Sequence, residues 1–307
     1  MPSLKFQLFG KFSVQRDTQS LKGLDAGKDQ ELLSYLLVRR DRCHQREALA
    51  SLLWGDTSTE RSKKYLRQSL WHVHTALQDG VVDDPPALTV GHDWIQLNMQ
   101  SGFSLDIELF ERASATVQGI PGRELDAGSV QMLKEAAALY KGDLLEGWYQ
   151  DWCLFERERL QNLYLLMLDK LLAYSERHRE YEAGQGYGSI ILSYDRARER
   201  THRQLMLLKY RAGDRTAALR QYERCVRALA EELDVAPQKH TTELYDQIRA
   251  DRLDGSRIDT TGSDVPVSGS RLGVLRRMKR LQAILAAVQK RVQRDIEAVE
   301  QGLETIR

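Results

Sequence analysis

Residues 60–77, ERSKKYLRQSLWHVHTAL, permit few local structures. Leu66, Leu70, Val73 and Leu77 recur at steps of three and four, which lines them along one face of an α-helix. The other side carries Arg61, Lys63, Lys64, Arg67, Gln68, His72 and His74. One face therefore needs a core, and the other offers side chains suited to phosphates and base edges. An ordinary solvated surface helix has the same periodicity, so the flanking sequence has to decide between them.

The flanks read as a small domain. Residues 4–14 (LKFQLFGKFSV) alternate in part and form a strand or hairpin interrupted at Gly10. Residues 28–40 make a helix with Leu32, Leu33, Leu36 and Leu37 inward, and residues 45–54 make a second that stops at Gly55. After the third helix, Pro85 and Pro86 mark a loop. LTV, Gly91-His92-Asp93 and WIQL then read as a hairpin. Strands, three helices and a hairpin follow one another in the order of a winged helix with an extra N-terminal sheet.

From residue 129 to 252 the pattern is helical, in blocks at 130–140, 152–178, 180–193, 197–212, 215–233 and 239–252. Ala183 and Tyr187 recur as Ala218 and Tyr222, close to the ~34-residue tetratricopeptide period. Residues 254–270 are rich in Gly, Ser, Thr and Asp and read as a flexible linker. A further helix is expected over 271–307. Met278, Leu281, Leu285, Val288, Val292, Val299 and Ile306 fit a coiled-coil seam, with Asp295 and Gly302 as faults. Residues 271–294 hold eight basic residues and no acid. Three readings of this tail stay open. It is a dimerising coiled coil, a basic amphipathic helix for a membrane, nucleic acid or anionic ligand, or a helix folded onto its own repeat domain.

The expected fold class is therefore mainly α. A winged-helix domain with small β-sheets (1–110) precedes a tetratricopeptide-like repeat domain (111–253), a linker (254–270) and a C-terminal helix (271–307). Bulk charge is nearly balanced, 45 basic against 44 acidic residues. The first 110 residues carry 13 basic and 14 acidic side chains, so only local clustering of cations favours a polyanionic partner. Cys43, Cys153 and Cys225 have no metal spacing and read as buried small apolar residues. Lys5 and Lys11 interrupt the first apolar residues, and no stretch approaches the ~20 apolar residues of a membrane span. A cytoplasmic location is the expectation.

These residues resemble a known family over about 4–250: bacterial transcriptional regulators of the SARP type. These join an OmpR-like winged helix to a bacterial transcriptional activator domain of tetratricopeptide-like helices. GKDQELLSYLLVRRDRCHQREALASLLWGD resembles the family's first two helices, and KYLRQSLWHVHTAL its recognition helix. YKGDLLEGWYQDWCLFERERL (140–160) and ALRQYERCVRALAEELDVAP (218–237) are similar to longer signatures of the second domain. Two departures stand out. Trp71, His72 and His74 occupy positions that are usually Arg-rich, which weakens phosphate attraction or makes it pH-dependent. No Gly-rich phosphate loop occurs in these residues, so the ATPase module of the family's large members is not expected within them.

The resemblance implies double-stranded DNA as partner, RNA polymerase recruitment, and a homodimer or higher homo-oligomer. By similarity of position, Lys64, Gln68, Trp71 and His72 face the major groove. Arg61, Lys63, Arg67 and His74 grip the backbone, and Lys28 shares a phosphate with a helix N-terminus. Trp71 either presses a thymine methyl or packs inward. His92 at the hairpin tip lies near the minor groove, beside an unhelpful Asp93. His72 and His74 point about 200° apart on a helix and cannot share a metal. Asp143, Glu156 and Glu158 read as a capped turn and a solvated helix face rather than catalytic carboxylates, and Trp148, Tyr149 and Trp152 as packing between helices. No catalytic residue, cofactor or metal is expected. The function expected is a DNA-binding transcriptional regulator, an activator. The alternative is a helical-repeat scaffold, or a sensor of a small anionic effector, whose winged helix binds DNA weakly or not at all.

Overall fold

In the computed structural model the described residues are 4–17, 19–24, 26–78, 86–98 and 102–253. The expected linker and C-terminal helix lie outside them. Apolar alternation makes β1 (Leu4–Gln7) and β2 (Ser13–Arg16) an antiparallel hairpin, with Phe6 opposite Val14. β3 (Gln19–Ser20) extends it on one side. The chain then forms α1 (Gly27–Val38), β4 (His44–Gln45), α2 (Arg46–Trp54) and α3 (Thr59–Gln78). β5 (Leu88–Val90) and β6 (Trp94–Leu97) are the expected hairpin, and β4 pairs with β6.

Periodicity did not announce β7 (Ser104–Leu105) and α4 (Asp106–Thr116). β7 adds in parallel to β1, and α4 spans the boundary expected near residue 110. The helical array continues with α5 (Ala127–Leu139), α6 (Asp151–His178), α7 (Tyr181–Tyr194), α8 (Glu199–Arg211), α9 (Arg215–Leu233) and α10 (Lys239–Arg249). The 35-residue recurrence places Ala183 and Tyr187 on α7 and Ala218 and Tyr222 on α9, at matching turns of two successive helical hairpins. Gly188 lets α7 close on α8, since a Cβ there would sit 2.6 Å from Leu205 Cδ2.

One buried apolar cluster runs from Leu4 to Leu208, so the strands and the helical array share a core. The segment 143–146 holds them together. Phe9 bridges Leu144, Gly10 N–H donates to the Asp143 carbonyl at 2.9 Å, and Leu145 N–H donates to the Leu8 carbonyl at 2.9 Å. Gly10 sits at φ +83°, which favours glycine there. Arg157 donates to the carbonyls of Leu144, Leu145 and Trp148 at 2.9, 2.8 and 3.0 Å and satisfies the turn.

The glutamate expected on a solvated face is a correction. Glu156 has a side chain only 5% exposed and meets Arg39, just past the end of α1, at 2.6 Å and Arg159 at 2.8 Å. Glu111 of α4 meets Arg40 at 2.5 Å and also pairs with Arg159. The pattern of α6 shows only its own charges, Glu156 and Arg159, whereas Arg39 and Glu111 come from other elements. Trp152 packs edge-on against Tyr35 of α1 at 5.3 Å, and Trp148 tilts against Phe12. Tyr149, expected between helices, is 63% exposed. Cys43 is also exposed, its thiol 3.0 Å from Gln96 Oε1, while Cys153 and Cys225 are buried as expected.

Two buried histidines set a pH dependence. His202 lies 2.8 Å from the Arg196 carbonyl through Nε2 and 2.8 Å from the Gln221 amide through Nδ1. Burial lowers its pKa and that of His44 below the ordinary 6.5. The fold therefore favours the neutral rings. Their contribution is complete above about pH 6.5 and declines below it, as the unfolded chain takes up protons first. Urea midpoints should fall between pH 7.5 and 5.5, and fall less in His202→Gln. An equal decline in both proteins would assign the effect to other groups.

Candidate nucleic-acid interface

α3 divides as its periodicity requires. Ser62, Leu66, Ser69, Leu70, Val73, Ala76 and Leu77 are buried. Lys64, Gln68, Trp71 and Thr75 are exposed on the opposite side. At about 100° per residue these four fall within an arc of about 60°. Arg61 and Arg67 flank them and are exposed. Among the described residues, Arg61, Lys64 and Arg67 have no ion pair or hydrogen-bonded partner. Trp71 is 66% exposed, so its ring points outward rather than into the core.

Other expected site residues face the protein. His72 Nδ1 lies 2.9 Å from Asp29 Oδ2 on α1, and the Ser69 hydroxyl donates to the other oxygen of the same buried carboxylate. The groove-facing position expected for His72 is thus corrected. At 100° per residue it lies toward α1, where an acceptor waits. Lys63 pairs with Glu47 of α2 at 2.5 Å, both exposed. Lys28 was expected to hold a phosphate. Its ammonium instead meets Glu31 at 2.8 Å and the Leu53 carbonyl at 2.6 Å, and sits 5.9 Å from the centre of the Trp54 ring. A cation beside a helix C-terminus is favourable there, because α2 ends at Trp54. His74 is half-buried.

The β5–β6 hairpin carries His92 and Asp93 at its tip, with the imidazole 2.6 Å from the carboxylate and both side chains almost fully exposed. Arg46 ties the tip to the start of α2, its N–H donating to the Asp93 carbonyl at 2.9 Å. Trp94 and Tyr65 are exposed nearby in sequence to these groups and were not singled out by pattern. Asp29 was also missed. An acid in the first turn of a helix reads as a dipole partner, and nothing local points to Ser69 and His72, 40 and 43 residues away.

Asp29 fixes how α3 is rotated, because it holds two of its side chains at once. Asp29→Ala should cost about 1–3 kcal/mol, the usual penalty for buried donors left unpaired. Urea unfolding measures it, and a loss within ~0.5 kcal/mol would show that Ser69 and His72 find other partners. Among the described residues, no group of three His, Cys, Asp or Glu is placed to hold a metal, and no helix is long and apolar enough to cross a membrane.

Residues 105–249 match the model of the bacterial transcriptional activator domain. The chain is 25% identical over 247 residues to regulatory protein AfsR of Streptomyces coelicolor, covering 80% of this chain and 24% of that protein. It is 24% identical over 251 residues to regulatory protein AfsR of Streptomyces griseus, covering 81% and 25%. The chain thus spans about a quarter of the length of the curated relatives it matches. Among solved structures, Mycobacterium tuberculosis EmbR in complex with a low affinity phosphopeptide aligns with a TM-score of 0.62 at 19% identity, over 83% of this chain and 67% of that one. At that identity the likeness concerns the fold.

Proposed function

We propose that this chain, a transcriptional regulator of the SARP type, binds specific double-stranded DNA sequences by inserting α3 into the major groove. The observation that carries the reading is the outward stripe of α3. Lys64, Gln68 and Trp71 point away from the core, and the flanking Arg61 and Arg67 have no partner among the described residues. Lys64 suits a guanine edge, and Gln68 suits adenine N6 and N7. Arg61 and Arg67 meet phosphates on either side, with the β5–β6 hairpin against the adjacent backbone. His92, at the exposed hairpin tip, and His74 add contacts to the backbone. Lys63 reaches phosphate only by giving up Glu47.

In this reading the winged helix (1–110) does the binding. The helical array (111–253) supplies contacts to RNA polymerase and to a second copy of the chain, so that two copies occupy repeated half-sites and activate transcription in the cytoplasm. The ion pairs of Arg39 and Arg40 with Glu156 and Glu111 support a fixed angle between the winged helix and the array.

A second reading draws on charge. The first 110 residues are slightly acidic, and Lys28, Lys63 and His72 are engaged with protein groups. On this view the helical array is a protein-binding scaffold. Selection of duplexes from a randomised library at low and moderate salt decides between the two. Enrichment of a consensus that survives the higher salt is the expected result. Retention that is indiscriminate and vanishes with salt, or no retention, favours the scaffold.

A further inference from the structure

The indole of Trp71 has no role in phosphate attraction, yet it stands on the outward stripe of α3, about one turn from Gln68 and from Thr75. It is two-thirds exposed and is braced from one side by the His72 ring, edge-on at 5.4 Å. His72 is itself held by the buried carboxylate of Asp29. The apolar ring is therefore presented outward in a supported position, among polar neighbours that compete for hydrogen bonds. In the major groove every base edge presents polar atoms, and only thymine adds an apolar group there, its C5-methyl. Gln68 and Trp71 are three residues apart, a rise of about 4.5 Å, close to the ~3.4 Å step between stacked bases.

We propose that Trp71 reads a thymine methyl in the major groove, next to the base met by Gln68. This inference rests on the DNA-binding reading of α3 and names one letter of its target. An indole laid on the methyl removes apolar area from water on both partners. Cytosine lacks that methyl, and purines offer only polar groups at the edge. Discrimination at this position then comes from an apolar contact. It should persist at salt concentrations that weaken the contacts of Arg61, Lys64 and Arg67.

The test uses the full chain and the consensus duplex from the library selection. Each thymine is replaced singly by deoxyuridine, which keeps pairing and the O4 acceptor and deletes only the methyl. One replacement should weaken binding of the wild-type protein about fourfold, the equivalent of about 0.8 kcal/mol for one carbon group returned to water. The same replacement should leave Trp71→Ala unaffected, and Trp71→Phe should retain part of the response. Because Trp71 is exposed, an unchanged melting temperature verifies that Trp71→Ala is folded. A flat deoxyuridine scan in the wild type overturns the inference while leaving DNA binding intact. So does a Trp71→Ala protein that still senses the same methyl. Failure of the selection to yield any consensus overturns both the inference and the reading beneath it.

Discussion

Asp106→Ala should unfold at markedly lower denaturant than the wild type, with a loss of about 3–5 kcal/mol. The carboxylate is buried at the start of α4. It accepts from the Leu8 and Phe9 amides at 2.7 and 2.9 Å through one oxygen, and from Ile107 N–H at 2.8 Å through the other. Removing it leaves three buried N–H groups without an acceptor, and each costs about 1–3 kcal/mol when orphaned. At the usual scaling for a chain of this size, the melting temperature drops by roughly 10 °C. Asp106→Asn keeps one oxygen but turns an amide donor toward other donors, so it should fall between Ala and the wild type. Burial raises the Asp106 pKa although the backbone hydrogen bonds from Phe9, Leu8 and Ile107 oppose the rise. The value of the side chain therefore lies in its acceptor oxygens rather than in its charge. A loss under 1 kcal/mol in the Ala variant would mean that water enters and replaces both oxygens.

Lys64→Ala combined with Arg67→Ala should reduce affinity for the selected duplex at least about a hundredfold at low salt, from ~1.5–3 kcal/mol per charged hydrogen bond. The slope of log affinity against log salt should flatten by about 0.9, since Arg67 gives up one phosphate neutralisation, worth about 0.9, whereas Lys64 meets a base edge. Both side chains are exposed and lack partners among the described residues, so stability should move by no more than ~0.5 kcal/mol. Lys28→Ala is the informative control. Its ammonium holds the Leu53 carbonyl and Glu31, so its loss should lower stability and leave the salt slope unchanged. Unaltered affinity in the double variant, with the wild type binding its consensus, would place the DNA contact away from α3.

How much of this was readable beforehand differs from element to element. The helix expected from Glu60 to about Gln78 is α3, Thr59–Gln78, and the helix expected at 215–233 is α9. Both have long apolar stripes, and a periodicity of 3.6 repeated over four or more turns leaves little freedom. The hairpin around Gly91 was legible from its turn residues. In contrast, β4 and β7 are two residues each and exist only because β6 and β1 offer them an edge. A dipeptide has no periodicity to read, so the parallel addition of β7 to β1, and the α4 that follows it, went unannounced.

The candidate interface divides in the same way. The sequence by itself determined that α3 would be two-faced, because the spacing of Leu66, Leu70, Val73 and Leu77 dictates which side meets the core. It thereby also determined that Lys64 and Gln68 would lie opposite, whereas the choice between outward and inward for Trp71 was left to the tertiary structure, which exposes it. Tertiary structure decided which polar groups on that helix stay available. Asp29 lies on another helix and engages His72; Glu47 does the same for Lys63, and the end of α2 for Lys28. A charged side chain goes to the nearest partner in space, whereas a pattern along the chain records only neighbours within a few residues. Glu156 shows the same limit from the other direction. Its own helix presents it as one more charge on a surface, and only the approach of α1 makes it a buried link between Arg39 and Arg159.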